Sequence, residues 1–460
     1  MLLITIIILA ILLISYVSMS TGQVLRVNRA AVAMFSGVIV WLLYMIHGGD
    51  FLRLVHAEEY AAFLEGAPST ISTVKEFVAT NVITRYISEA CSVILFLIAT
   101  NAIVEVLNNN GVFDSLINWL RMRSSKKFLW IISGLTFVIS ANVDNLTTVL
   151  LMMSIMSQIV NSHHQRVVYA CAIMVSASLG GAFTVIGDMT SLMLWVRGVI
   201  TPSGFASGLF LPVIITLCVF TVLLSKLLVG KVEASSVIGR YKGDESLLPA
   251  WQKILLLIIG IAGLWAIPTF HYHTKLPPFL GALCVLALVW VVEGFCNFER
   301  NGNMLFVQRK HLRSSEFISM RIILYFLGIS LGAGVLKECG VLDFIGGWLN
   351  QNVNNTYVYG VFTGLISSVI DNVPFVLMGM NLFPMDTSAG TVSDFSIDGS
   401  YWQMLSYCCA IGGTLLFAGS LSGQAVMQVE KIRFAWYCRH IIWRVVVSWT
   451  AGMIVFWLIH

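Results

Sequence analysis

The sequence predicts an all-α polytopic membrane protein, built as an inverted repeat of transmembrane helices with two re-entrant hairpins and two broken helices. Three observations lead to this prediction. Apolar residues make up 58% of the 460 positions and charged residues only 11%, whereas roughly one quarter of a soluble domain is charged. Apolar runs of about 17 to 25 residues, long enough to cross a bilayer as helices, recur along the whole chain. Several polar motifs also occur twice, in the same order.

The long apolar runs predict ten membrane crossings, because lipid offers no partner to the backbone of an open strand. The first run has no basic residue before it and no small-residue cleavage pattern after it, so it is expected to be a retained helix rather than a signal peptide. The predicted crossings are Leu2–Met19, Ala30–Ile46, Asn81–Leu107, Val167–Val196, Phe205–Val229, Lys253–Phe270, Pro277–Phe295, Ile322–Leu336, Tyr401–Gln428 and Ile441–Ile459.

Two further apolar stretches, Phe128–Val160 and Tyr357–Phe383, are interrupted near the middle by an Asp-Asn pair. If each stretch folds back as a re-entrant hairpin, the basic loops lie on one side of the membrane and the acidic loops on the other. By the positive-inside rule, the side with the basic loops is cytoplasmic and the other side is external. The expected location is therefore the plasma membrane, with both chain termini outside. The basic segments are those with Arg26 and Arg29, Arg121–Lys127, Lys226–Lys242, Arg300–Arg313 and Lys431–Arg439.

An internal repeat divides the chain into two halves. Asn108–Leu120 matches Lys337–Leu349, Val138–Asn145 matches Leu365–Asn372, and Ser178–Thr190 matches Ala410–Ser422, at a nearly constant spacing. Counting crossings between equivalent helices gives opposite orientations, and inverted repeats with interrupted helices are typical of secondary transporters. The predicted units are an N-terminal helix at 1–26, a first repeat at 27–230, a cytoplasmic linker at 231–252 and a second repeat at 253–460.

The hairpin tips combine carboxylates with other oxygen-bearing side chains. A buried carboxylate at membrane depth is costly unless it is paired, protonated or in contact with water, and carboxylate, amide and hydroxyl oxygens suit a hard cation such as sodium. Each Asp-Asn pair taken alone could equally be a hairpin cap, but the matched pair favours a cation site. The candidate residues are Ser140, Asp144, Asn145 and Thr147 at the first tip, and Ser367, Asp371 and Asn372 at the second.

A third motif places Gly180 and Gly181 before Asp188, Thr190 and Ser191 in one apolar run. Glycines weaken a helix, so this run and its repeat are expected to be broken helices, with Asp188, Thr190 and Ser191 as further cation ligands. Small-residue packing between helices explains the glycines but not Asp188. The repeat carries Gly412, Gly413, Gly419 and Ser422, with Ser420 in place of Asp188.

Other polar residues give weaker indications. Glu89 follows Arg85 by one helical turn and is either an ion-pair partner or, with the three aspartates, part of a proton route. His163 and His164 lie in a short turn and are expected to be solvated. The basic residues behind the net charge of +4 are spread over loops, a pattern that sets membrane topology and does not indicate nucleic-acid binding. The scattered cysteines indicate neither disulfides nor a zinc site. No cofactor is expected.

Together these residues predict a secondary transporter that exchanges Na⁺, with Li⁺ as a second candidate, for H⁺. Clustered carboxylates can hold either protons or sodium, so competition for one site couples the two fluxes. Activity is expected to rise with pH as protons leave the site.

The chain resembles the NhaD-type sodium/proton antiporters of the ion transporter superfamily from about Asn81 onward. The resemblance rests on Ser140–Met152, Gly180–Trp195 and Ser367–Pro374. It implies that the hairpin Asp-Asn pairs, the Asp188 motif and Glu89 take part in ion binding, and that the protein is a homodimer. Asn142-Val143 before Asp144 departs from the family pattern, which leaves the number of carboxylates at the site, and hence the stoichiometry, open.

Two alternative functions remain. A sodium-coupled dicarboxylate, citrate or arsenite carrier would keep the fold, but two or three aspartates would repel an anionic substrate. An intramembrane aspartyl protease would use paired membrane aspartates, but its signature would need glycine at Val185. The protein is therefore expected not to be an enzyme.

Overall fold

The computed structural model describes residues 2–20, 28–66, 68–113, 120, 124–228, 230–232, 248–298, 312–353, 355–386 and 393–460. Within these residues the regular elements are helices, and one isolated β-bridge joins Ser124 to Lys231. The predicted all-α class is confirmed. Residues 233–247 of the predicted linker, and residues 114–119 of the first repeated motif, lie outside the described residues.

The first half of the chain contains eleven helices in the described residues. A short π-helical segment, Val78–Ile83, joins α5 to α6 into one continuous helix. The helices are α1 Leu2–Ser20, α2 Arg29–Ile46, α3 Gly48–Val55, α4 Ala57–Leu64, α5 Ile71–Phe77, α6 Thr84–Asn109, α7 Ser125–Ser140, α8 Asn145–Ile159, α9 His163–Ala182, α10 Met189–Val196 and α11 Pro202–Ser225.

The second half contains ten more helices in the described residues. A 3₁₀ turn, Phe417–Gly419, precedes α19, and a π-helical segment, Cys438–Ile442, joins α20 to α21. These helices are α12 Ala250–Thr274, α13 Pro278–Phe298, α14 Leu312–Glu338, α15 Val341–Asn352, α16 Thr356–Ser367, α17 Asn372–Leu382, α18 Ser400–Leu415, α19 Leu421–Glu430, α20 Phe434–Tyr437 and α21 Trp443–Ile459.

Within the described part of the chain, eight continuous helices are long and apolar enough to cross a membrane, and each corresponds to a predicted crossing. The other two predicted crossings are broken: α9 ends at Ala182 before α10 begins at Met189, and α18 ends at Leu415 before α19 begins at Leu421. The predicted helix breaks are thus confirmed. Two predicted starts were wrong. The crossing predicted from Asn81 begins at Ile71, where Thr70 forms a capping box with Thr73, and the crossing predicted from Ile441 begins at Phe434.

Short polar side chains fix the starts of the helices that follow each break. Asp144 accepts hydrogen bonds from the first amides of α8, Asp188 from Met189 of α10, and Ser420 from Gly423 of α19. Asp371 occupies the same position before α17. Aspartate and serine are favoured there because they satisfy amides that have no partner inside the helix.

Several contacts join segments that the charge pattern assigns to the same side of the membrane. On the external side, Thr201 Oγ1 donates to Asp398 at 2.5 Å. On the cytoplasmic side, Arg166 Nε donates to Glu430 at 3.2 Å. Both contacts also connect the two predicted repeats, so the halves pack against each other at both ends.

A buried polar cluster holds the C-terminal end of α14. Glu338 is 2% exposed; its carboxylate accepts from Tyr86 OH at 2.7 Å and lies 2.8 Å from His56 Nε2. The other ring nitrogen of His56 is 3.1 Å from Glu59. The hydrogen bond to Glu338 is the main factor that raises the pKa of His56 above its ordinary value of 6.5. Protonated His56 therefore bridges two carboxylates and links α3 and α4 to α6 and α14.

We expect this cluster to make stability depend on pH. Because the pKa of His56 is raised in the folded state, its contribution is complete below the unfolded-state pKa and is lost as pH rises through the folded-state pKa. Thermal melts of the purified protein in detergent, taken from pH 6 upward, should show a decline that His56→Gln flattens. His273→Gln, an exposed histidine, is the control; equal declines in all three proteins would contradict the assignment.

Candidate functional site

The break between α7 and α8 is held by a serine and an asparagine that flank it. Ser140 Oγ lies 2.7 Å from Asn145 Oδ1 and 2.8 Å from the Ala177 carbonyl of α9. Gly181 of α9 lies directly against the Asn145 side chain, where a Cβ would approach Asn145 Oδ1 to 2.3 Å. The first tip is therefore packed on the first broken helix.

The same contacts occur in the second half. Ser367 Oγ lies 2.6 Å from the side-chain amide of Asn372 and 3.3 Å from the Cys409 carbonyl of α18. A Cβ on Gly413 would approach Asn372 Oδ1 to 2.4 Å. The matched sequence motifs thus make matched contacts, and this explains why each contains serine, asparagine and a glycine pair.

Asp144 lies half-buried at the first tip. Its carboxylate accepts from Leu146 N at 3.1 Å and Thr147 N at 3.4 Å. Thr147 Oγ1 in turn donates to Asn101 Oδ1 of α6 at 3.0 Å. Carboxylate, hydroxyl and amide oxygens from two helices therefore meet beside this break.

Asp188, which is 9% exposed, occupies the break of the first broken helix. It accepts from Met189 N at 2.9 Å and from Thr190 Oγ1 at 2.5 Å. Ser191 Oγ lies 3.0 Å from the Asp188 carbonyl and 3.4 Å from the Gly181 carbonyl. The three predicted ligands of this motif are thus brought together, with the Gly181 carbonyl beside them.

Asp371, which is 8% exposed, lies at the second tip. Tyr325 OH of α14 donates to its carboxylate at 2.7 Å, and the Arg29 guanidinium of α2 is close enough to interact with it electrostatically. Asp371, Tyr325, Arg29 and Tyr16 line one small cavity.

The three aspartates form one electrostatic cluster. The helix that follows Asp188, α10, packs against α17 of the second hairpin, and Gly187 lies against the Ser140 carbonyl at the first tip. The two hairpin tips and the first broken helix therefore converge, and Asp188 is within electrostatic range of both Asp144 and Asp371. Within the described residues, no three His, Cys, Asp or Glu side chains are arranged to hold a metal ion by themselves. A bound cation would therefore need hydroxyl, amide and carbonyl oxygens as well, and the residues around the three breaks supply all of these.

Similarity to known proteins shows the family to which this chain belongs. A family model described as "Citrate transporter" matches residues 1–404. The chain belongs to this citrate transporter family. It is a multi-pass membrane protein of a family of carriers.

The sequences of curated relatives match most of the length of this chain. It is 30% identical over 381 residues to "Sodium/proton antiporter 2" of Arabidopsis thaliana, covering 81% of this chain and 86% of the relative. "Sodium/proton antiporter 1" of the same plant is 27% identical, covering 97% of this chain and 71% of the relative. "Na(+)/H(+) antiporter NhaD" of Vibrio parahaemolyticus is 25% identical, covering 78% and 87% respectively. The resemblance to NhaD-type antiporters is thus confirmed.

Glu89 lies apart from the other predicted site residues. It is exposed on α6, as is Arg85, and both lie within electrostatic range of Tyr86, the tyrosine that donates to Glu338. Its part in a proton route stays a prediction. His163 was predicted to lie in a turn but is the first residue of α9. It lies 3.1 Å from the Glu430 carbonyl and so contacts the second repeat.

The sequence interpretation did not identify four residues that lie near the aspartates: Asn101, Tyr325, Arg29 and Tyr16. Asn101 is a polar residue inside an apolar crossing, which is a signal that could have identified it. Arg29 was counted solely as a loop charge. The two tyrosines lie in ordinary apolar runs, and only the tertiary packing brings them to the cavity.

Proposed function

We propose that this carrier exchanges sodium ions for protons across the plasma membrane. The observation that carries the proposal is the convergence of Asp144, Asp188 and Asp371 at three helix breaks. The names of the relatives support it. The ligand set proposed is the one predicted from the sequence: Ser140, Asp144, Asn145, Thr147, Asp188, Thr190, Ser191, Ser367, Asp371 and Asn372.

The chemistry of this cluster suits exchange. Carboxylates that repel one another in a poorly solvated site gain stability from binding either a proton or a cation. Because both ligands neutralise the same negative charge, the binding of one disfavours the binding of the other. In such a carrier the site can switch from one side of the membrane to the other only when a proton or a sodium ion neutralises its charge. Sodium then moves in one direction and protons in the other.

We further propose that α7 and α8 form a re-entrant hairpin that enters from the cytoplasmic side. Ser124, just before α7, forms the bridge to Lys231. Gln165, six residues after the end of α8, donates to the Lys231 carbonyl at 3.0 Å. The start of α7 and the segment following α8 therefore meet the same residue, as a hairpin with both ends on one side requires.

The second hairpin, α16 and α17, is supported in the same way. Tyr359 near its start and Phe383 after its end have ring centroids 5.4 Å apart, and both rings contact Tyr401. Since Tyr401 begins α18 on the predicted external side, this hairpin enters from the side opposite to the first. We therefore propose the inverted repeat and, from the resemblance, a homodimer in the membrane.

An anion carrier is the second candidate, because the family model is described as a citrate transporter. Arg29 beside the site also suits an anion. The three aspartates argue against it, since an anionic substrate would meet net negative charge. A protease or other enzymatic activity is not proposed.

One experiment separates the two candidates. Everted membrane vesicles containing the protein should show sodium-dependent proton movement, reported by a pH-gradient dye, that increases as pH rises. Lithium and potassium are tested in parallel. The same vesicles should not accumulate labelled citrate or succinate; sodium-driven uptake of either, without proton movement by sodium alone, would replace sodium/proton exchange with anion transport.

A further inference from the structure

The aspartates of the two halves have different electrostatic surroundings. In the described part of the chain, the groups that donate hydrogen bonds to Asp144 and Asp188 are uncharged: three backbone amides and the Thr190 hydroxyl. Both carboxylates belong to the first repeat. When ionised, the first repeat therefore contributes two uncompensated negative charges.

Asp371 differs because a permanent cation lies beside it. Arg29, at the first position of α2, interacts electrostatically with both Asp371 and its hydrogen-bond donor Tyr325. The Arg29 Nη2 atom is buried and has no hydrogen-bond partner in the structure. The hydroxyl of Tyr16, a residue that is 6% exposed, is likewise buried without a partner in the same cavity.

The second repeat also lacks a counterpart of Asp188, since Ser420 occupies that position and caps α19 through its hydroxyl. Its only carboxylate among the matched site positions is Asp371. With Arg29 nearby, this side of the cluster is close to neutral. The negative charge needed to bind a cation is therefore concentrated at Asp144 and Asp188.

We propose that Arg29 is a built-in counter-cation for Asp371, which confines the transported sodium ion to the Asp144 and Asp188 side of the cluster. The inference rests on the proposed sodium/proton exchange and refines it. The inference removes Asp371 from the set of sodium ligands proposed above: this carboxylate instead keeps Arg29 from repelling sodium. Arg29 itself is a specificity-determining residue.

The test is a double-mutant cycle on purified protein and in vesicles. The variants are Arg29→Gln, Asp371→Asn and the combination of both. Tyr16→Phe is the matched control, because it alters the same cavity without changing charge. The readouts are equilibrium binding of labelled sodium, which gives the affinity and the number of ions bound, and the sodium concentration for half-maximal proton movement.

Charge pairing predicts a specific pattern. Asp371→Asn should weaken sodium binding at least about tenfold, because Arg29 is left uncompensated beside the site. Arg29→Gln should tighten binding or raise the number of bound ions. The double variant should return to within about threefold of wild type, because removing both charges together leaves the net charge beside the site unchanged. Tyr16→Phe should leave the sodium affinity unchanged.

The inference is overturned if the double variant binds sodium as weakly as Asp371→Asn, because Asp371 would then be a ligand in its own right. It is also overturned if Arg29→Gln and Tyr16→Phe behave alike. Failure of the proposed function would look different: wild-type protein would itself show no sodium-dependent proton movement.

Discussion

Replacing Asp144 by asparagine is expected to abolish sodium-dependent proton movement in vesicles, with a rate loss of at least about 100-fold. Asparagine removes both the negative charge and the group that exchanges a proton for sodium. It caps a helix about as well as aspartate, so the amides of Leu146 and Thr147 keep an acceptor and α8 should still form. The loss would therefore be one of transport and not of folding.

The control for this prediction is Asp50→Asn, an exposed carboxylate in the first turn of α3. It removes the same charge from the same half of the chain and should leave the rate unchanged when both variants are present in the membrane in equal amounts. Wild-type transport by Asp144→Asn would exclude this residue from the exchange site.

The helix breaks could be predicted from the sequence because they depend on local chemistry. An Asp-Asn pair inside an apolar run supplies a cap for the next helix, and the glycine pairs lie where two backbones approach closely. Asp144, Asp188 and Asp371 were thus recognised individually as residues beside breaks. The repetition of the Asp-Asn pair in both halves made a shared site the simplest interpretation.

The site residues that the sequence did not reveal are brought together by contacts between helices that are far apart in the chain. Arg29 lies far from Asp371 along the chain, and only the packing of α2 against α14 brings it to the cavity. That packing depends on Gly37 and Gly328, where a Cβ on Gly328 would come within 2.4 Å of the Ala33 backbone. Small residues with this role are common in membrane helices, so their partner could not be identified from sequence alone.

Both hairpin tips are also attached to helices outside the hairpins. The Trp265 indole of α12 donates to the Asn142 side chain at the first tip, and Ser20 Oγ of α1 donates to the Val369 carbonyl at the second, at 2.7 Å. If alternating access moves the hairpins past the other helices, these two bonds must break in each cycle. They are single and involve neutral groups, so each opposes the movement by only about 1 kcal/mol.

Replacing Gly412 by alanine is expected to disrupt the packing of the second broken helix on its hairpin. A Cβ at this position would lie 2.1 Å from the Gly364 carbonyl oxygen of α16. Because the obstacle is backbone, no side-chain rotation relieves it, and overpacking of this kind costs about 1–3 kcal/mol or more. We expect a clearly lower melting temperature in detergent and a large loss of transport, since α18 leads directly into the break before α19.

Gly134→Ala provides the matched control for this substitution. Gly134 lies inside α7, and a Cβ there would have no heavy atom within 4 Å. Alanine favours a helix over glycine by up to about 1 kcal/mol, so this variant should melt at or above the wild-type temperature and keep its activity. Gly180 of the first half, where a Cβ would lie 2.3 Å from the Phe137 carbonyl oxygen, should respond like Gly412, because the same contact supports both broken helices. Equal stability of the Gly412 and Gly134 variants would mean that the close approach of α18 to α16 does not hold the second break together.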